Sequence, residues 1–154
     1  MKISEYLSKD MILTGIKTEN KYSLCKLIVD HLISKKIIAE ERREILIDKI
    51  IERESMSSTG IGGGVAIPHA SGEDIDNIII VVAQIPDGVD FDAIDDAPVD
   101  LVFMIIGSER VPRIHLQLLA TIVRVCKNVE LVKALREASD VGEMYELIAG
   151  FDRE

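Results

Sequence analysis

The chain has 154 residues, 47% hydrophobic and 29% charged, with aromatics at 4% and no Trp. This balance fits one globular domain with an aliphatic core and excludes a disordered chain. The net charge of −9, from 27 acidic and 18 basic residues, argues against general nucleic-acid binding and docking on anionic lipid, and leaves room for a protein partner with a positive contact surface.

The opening MKISEYLSKD lacks the apolar stretch of a signal peptide. Leu24, Ile28, Leu32 and Ile33 are spaced for one apolar helix face, with Asn20 as the predicted N-cap. Cys25 lies in this pattern and Cys126 in a later one, so neither belongs to a C-x-x-C pair and both read as buried structural thiols. His31, beside Asp30, reads as structural. Ile45, Ile47, Ile50 and Ile51 predict a second helix after the charged start Glu40–Arg43. The stretch from Ser57 to Gly64 reads as a loop by composition. Val65-Ala66-Ile67 is a short strand, and Pro68 biases Ile67 toward an extended backbone.

Ile78–Ile85 and Leu101–Ile106 are continuous apolar, β-branched runs, suited to strands buried on both faces. Between them lies PDGVDFDAIDDAPVD, rich in turn residues. Ile78–Ala83, the longest apolar run, is far too short to span a bilayer. Ile114, Leu118, Leu119, Ile122 and Val123 mark one helix; Val129–Ala138 and Val141–Ile148 mark two more. Helices before and after a central sheet predict a single α/β layered domain over residues 1–154. A reducing, cytoplasmic setting is expected.

The chemistry concentrates between Arg53 and Ala70. A helix end delivers Arg53, a hydroxyl- and glycine-rich loop follows, and a strand ends in Pro68-His69. Such a loop can present backbone N–H groups to an anion. A neutral imidazole at His69 is a nucleophile, and an Arg with loop amides suits a phosphoryl target. On composition alone, a tight turn with His69 capping a strand end accounts for the same residues equally well. No P-loop is present, because no Lys follows the glycines. No dinucleotide fingerprint is present, because Gly60, Gly62 and Gly64 precede a strand rather than open a helix. His115, taken alone, suits a structural or surface role. Asp90, Asp92, Asp95, Asp96 and Asp100 fail calcium-loop spacing. Zinc spacing and a G-x-S-x-G elbow are lacking.

Arg53-Glu54, Ser58-Thr59-Gly60-Ile61-Gly62 and Val65-Ala66-Ile67-Pro68-His69 together resemble the signature of enzyme IIA domains. These belong to the fructose/mannitol, type-2 class of the bacterial phosphoenolpyruvate-dependent sugar phosphotransferase system. Asp90–Asp95 and Pro98–Phe103 resemble the central hairpin and strand of that family, and His115-Leu116 its His-Leu helix motif. The resemblance runs over nearly the whole chain. It implies a mixed β-sheet flanked by α-helices and a phosphotransferase component that works through phosphohistidine.

In that family the phosphocarrier protein HPr donates a phosphoryl group to Nε2 of the histidine that matches His69. A IIB domain then receives it on the way to the sugar permease. The resemblance makes His115 the second active-site histidine and Arg53 the active-site arginine. It places Thr59, with Gly60 and Gly62, beside the phosphoryl group. No cofactor or metal is implied. After His69 the chain departs from the family pattern with Ala70-Ser71-Gly72-Glu73-Asp74, whose acidic pair bears on the downstream partner. A second branch stays open: a nitrogen-related regulator, phosphorylated on the same His69, that binds target proteins without passing phosphate to a sugar.

Overall fold

The computed structural model describes residues 2–72 and 75–153; the acidic pair Glu73-Asp74 lies outside them. Among the described residues, six strands form one mixed sheet: β1 (Ile12–Leu13), β2 (Gly60–Gly62), β3 (Val65–Ala66), β4 (His69–Gly72), β5 (Ile79–Val89) and β6 (Val99–Ser108). The order is β1-β5-β6-β3-β2, and β4 also pairs with β6. Five α-helices among the described residues cover the sheet: α1 (Lys21–Ser34), α2 (Arg43–Met56), α3 (Pro112–Lys127), α4 (Val129–Glu137) and α5 (Val141–Asp152).

The antiparallel hairpin β5–β6 is the frame. Its continuous apolar runs bury both faces, as their composition predicts. Ile79, Val81, Ala83, Val102, Met104 and Ile106 pack with α1 and α2. Ile80, Val82, Leu101, Phe103 and Ile105 pack with α3, α4 and α5. Each such large side chain, fully buried, stabilises by about 1.5–3 kcal/mol. With few aromatics, two aliphatic layers supply this burial. Asn20 caps α1, its Oδ1 accepting from Ser23 N at 2.8 Å.

Three local expectations change. Ile45 is 52% exposed, because the inner face of α2 is set by Leu46, Ile47, Ile50 and Glu54. The glycine-rich stretch is not all loop: Gly60–Gly62 pairs antiparallel with β3. Gly62, Gly63 and Gly64, with φ of 93°, 66° and 78°, make the left-handed turn between these strands, a conformation that glycine enters at no steric cost.

The third change concerns His69, which starts a strand rather than ending one. β3 and β4 both run parallel to β6 with one uninterrupted register, from Val65↔Leu101 through His69↔Ile105 to Gly72↔Ser108. Pro68 sits in the gap between them, and its carbonyl accepts from Ile105 N at 3.0 Å. Proline has no N–H to donate, so it fits a strand only where no ladder bond is asked of its nitrogen. The two short strands are one rail, broken by proline just before the histidine.

Candidate functional site

A cleft of about 360 Å³ is lined by Lys49, Glu52, Arg53 and Met56 of α2, His69, Ala70 and Ser71 of β4, then Glu109 and His115. The structure therefore brings together His69, His115 and Arg53, which lie far apart in sequence. The cleft forms at the free edge of β4. Ala70 points into the α1–α2 layer, so by strand alternation His69 faces the opposite layer, where α3 supplies His115. Arg53 reaches in from α2.

His69 Nδ1 lies 2.9 Å from the Ile67 carbonyl oxygen. A carbonyl only accepts, so Nδ1 carries a proton, and in the neutral ring this leaves the lone pair on Nε2. The extended backbone imposed by Pro68 sets that geometry. The ring of His115 stands edge-on to that of His69, with centroids 6.0 Å apart. Burial pushes the His115 pKa below the usual 6.5, and the neighbouring His69 pushes it the same way. His115 is thus a neutral imidazole at pH 7, able to donate one hydrogen bond.

Gly107, in β6, makes room for that ring: a Cβ on Gly107 would land against Nδ1 of His115. Arg53 Nη1 donates to the Ser57 carbonyl at 2.9 Å, closing the end of α2. The rest of its fork remains for an oxyanion.

The loop residues sit elsewhere; Thr59, Gly60 and Gly62 are not among those lining the cleft. Thr59 is buried, its amide and hydroxyl both donating to the Glu54 carboxylate at 3.1 and 2.7 Å. The Gly60 amide donates to Ser58 Oγ at 3.0 Å, and a Cβ there would meet that of Ala93 at 2.7 Å. A Cβ on Gly62 would meet the side chains of Ile94 and Asp95. Glu54 is itself buried and pairs with Lys21 Nζ at 3.5 Å, which also reaches the Phe91 carbonyl at 3.4 Å and Asp92 at 3.2 Å. Burial works to lower the Lys21 pKa, but Asp92 and Glu54 together raise it.

The other candidates read from sequence have structural partners. His31 Nε2 bonds the Asp10 carbonyl at 2.7 Å. Cys25 is buried and Cys126 half-buried, and burial pushes both thiols up to about 12, which leaves them unreactive. The acidic turn is held by its own bonds: Asp90 accepts from Asp92 N, Asp95 from Gly63 N and Ala97 N, and Asp100 from Arg136. Among the described residues, no group of three His, Cys, Asp or Glu is placed to hold a metal. Lys49, Glu109 and Gly107 are cleft features that sequence reasoning missed. Lys49 was findable, standing one helical turn before Arg53 on α2.

A family model described as "Phosphoenolpyruvate-dependent sugar phosphotransferase system, EIIA 2" matches residues 5–150. The chain is 34% identical over 155 residues to a fructose-specific EIIABC component of Bacillus subtilis, covering 99% of this chain but only 24% of that protein. It is 30% identical over 149 residues to a nitrogen regulatory protein homolog of Haemophilus influenzae, covering 96% of this chain and 90% of the other. Among solved structures, nitrogen regulatory protein IIA-Ntr of Neisseria meningitidis superposes with a TM-score of 0.86 at 24% identity, over 95% of this chain and 98% of that one. IIA mannitol of Escherichia coli superposes with a TM-score of 0.77 at 23% identity, over 93% and 99%. These structural likenesses carry the fold.

Proposed function

The chain belongs to the EIIA 2 family of the phosphoenolpyruvate-dependent sugar phosphotransferase system, and from that premise we propose that His69 Nε2 carries a phosphoryl group between proteins. One observation carries this reading. Nδ1 is committed to a backbone carbonyl, and the ring borders a cleft that it shares with Arg53 and His115.

In the proposed step a phosphohistidine of an HPr-type phosphocarrier approaches the cleft. The lone pair on His69 Nε2 forms a new N–P bond as the donor's N–P bond breaks. The bonding pair leaves with the donor imidazole. His69 keeps its proton on Nδ1, so no proton needs to move. The reverse geometry hands the group to an acceptor, a IIB domain in the sugar pathway. A solved complex of the mannitol IIA and phosphorylated IIB of Escherichia coli shows that a IIA fold of this kind meets such a partner.

Phosphoryl transfer spreads charge over the equatorial oxygens, so positioned donors do most of the work. Arg53 supplies a planar, charged fork and His115 one neutral donor. Thr59 acts from behind, through the bonds to Glu54 that hold the end of α2 against the sheet, while Gly60 and Gly62 form the adjoining strand β2. Among the described residues no helix is long and apolar enough to cross a membrane, and the proposed setting is the bacterial cytoplasm.

The sugar reading follows the fructose-specific relative. A specific observation also favours the nitrogen-regulatory branch: the match to its Haemophilus influenzae member spans 90% of that protein, and the fold agrees with IIA-Ntr at a TM-score of 0.86. In that branch the charge added at His69 would change binding to target proteins. Both readings use the same histidine. Incubation with phosphoenolpyruvate, enzyme I and HPr, followed by residue mapping, is expected to give an acid-labile phosphoryl group on His69 and none in His69→Ala. Full labelling of that variant removes His69 from the chemistry. Transfer onward to a IIB domain then separates the two branches.

A further inference from the structure

We propose that Lys49 is a second cation of the phosphoryl site, exchanging Glu109 for the phosphoryl oxygens when His69 is loaded. The inference rests on the phosphohistidine reading above. Lys49 and Arg53 stand at i and i+4 on α2, so they lie on one helix face, and both line the cleft with His69. They approach from the free edge of β4. The Pro68 and Gly72 carbonyls accept from Ile105 N and Glu109 N, on the β6 side. By alternation the Ser71 carbonyl points the other way, and there Lys49 Nζ donates to it at 3.3 Å.

Lys49 is loosely held. Its second partner is Glu109 Oε1 at 3.5 Å, and the two side chains are 39% and 42% exposed. Exposed pairs of this kind contribute little. The cleft is lined by two carboxylates, Glu52 and Glu109, against two cations, Lys49 and Arg53. The phosphoryl oxygens bring nearly two negative charges to the cleft, offset only in part by the imidazolium that forms behind them. They outcompete a single, half-exposed carboxylate for the nearest movable cation. Lysine suits the exchange, being a point charge on a flexible stem, whereas the Arg53 fork fixes orientation.

The test is single-turnover loading from phospho-HPr, with the 31P resonance of phospho-His69 as a second readout. Lys49→Met is expected to load slower than wild type by on the order of tenfold to a hundredfold, somewhat below the loss typical of a fully buried donor. Its 31P resonance should move, while its melting stays close to wild type. Lys49→Arg should recover most of the rate, because charge rather than shape is at stake. Glu109→Gln removes the competing anion and should load faster. Loading of Lys49→Met at the wild-type rate, with an unmoved 31P resonance, overturns the role of Lys49. Absence of label on His69 in the wild type instead overturns the phosphohistidine reading, and this inference with it.

Discussion

Arg53 and Glu54 are neighbours at the end of α2 that serve two different charge clusters. Glu54 turns inward, where its carboxylate holds both donors of Thr59 and the ammonium of Lys21 out of water. Arg53 turns to the half-open cleft, where Lys49, Glu109, His69 and His115 meet. The sealed cluster has its bonding committed: among the described residues no buried side-chain polar atom lacks a partner. In the cleft, the Lys49–Glu109 contact is long and half-exposed, and His69 bonds through only one ring nitrogen to its own backbone. One helix end thus couples a rigid anchor to a set of groups still free to change partners. From the hydroxyl- and glycine-rich loop, Thr59 joins the anchor.

The largest effect should come from opening the anchor. Glu54→Ala leaves Lys21 buried without its inner partner and Thr59 with two unpaired donors. Removing one member of a buried pair typically costs about 3–5 kcal/mol, to be read as a fall in the denaturant midpoint. The double variant Lys21→Met/Glu54→Leu should regain the part of that loss due to the unpaired Lys21 ammonium, but not the part due to Thr59, whose two donors stay unpaired. A Glu54→Ala protein as stable as wild type would break the contrast.

A smaller effect is expected from the cleft side. Gly107→Ala pushes a methyl group against His115. Overpacking of this kind costs about 1–3 kcal/mol. Here the diagnostic loss is in transfer: His69 should still load, but onward flux to a IIB domain should fall, as it should in His115→Ala, which removes the neutral donor altogether. Wild-type flux in Gly107→Ala would mean that the position of His115 does not matter.

The smallest effect is a difference in pH response. The folded pKa of His115 is depressed below 6.5, so the unfolded chain takes up its proton first. That contribution to stability is present above pH 6.5 and is lost as pH falls through the folded value. The folded pKa of Lys21 is raised above 10.5, so its contribution is present below pH 10.5 and is lost as pH rises through the folded value. Melting curves across pH should show His115→Gln flattening only the acid limb and Lys21→Met only the alkaline limb. Crossed effects would show the two clusters to be one.

Much of the fold was legible in the chain. The runs at Ile78–Ile85 and Leu101–Ile106 had to be buried on both sides, and the helix patterns around them left one layered arrangement. Strands β2 and β4 escaped, because short segments containing Gly60, Gly62 and Gly72 have weak strand character until β3 and β6 pair with them. Ile45 was misplaced for a related reason: a helix face is set by what it packs on, and α2 turns Leu46 and Glu54 inward. Of the site, Arg53 and His69 were legible as chemistry and His115 only through the family resemblance, while their meeting depended on register across Pro68. Gly107 carries no local signal at all, since its reason is an imidazole from the following helix. Thr59, Gly60 and Gly62 looked like ligands of an anion because their donors are the right kind; in the fold the Thr59 donors are engaged by Glu54 and the Gly60 amide by Ser58 Oγ.

The partner of His69 has a thermodynamic consequence. Many histidines in transfer sites lean on a carboxylate, which would stabilise the imidazolium formed when Nε2 is phosphorylated and so deepen the phosphohistidine well. Here Nδ1 leans on the Ile67 carbonyl, 2.9 Å away, a dipole with no net charge and no pKa in the working range. It orients the ring without stabilising the loaded form to the same degree. If His69 carries the proposed phosphoryl group, the N–P bond would therefore keep a high group-transfer potential, and the site would act as a relay rather than a sink for phosphate.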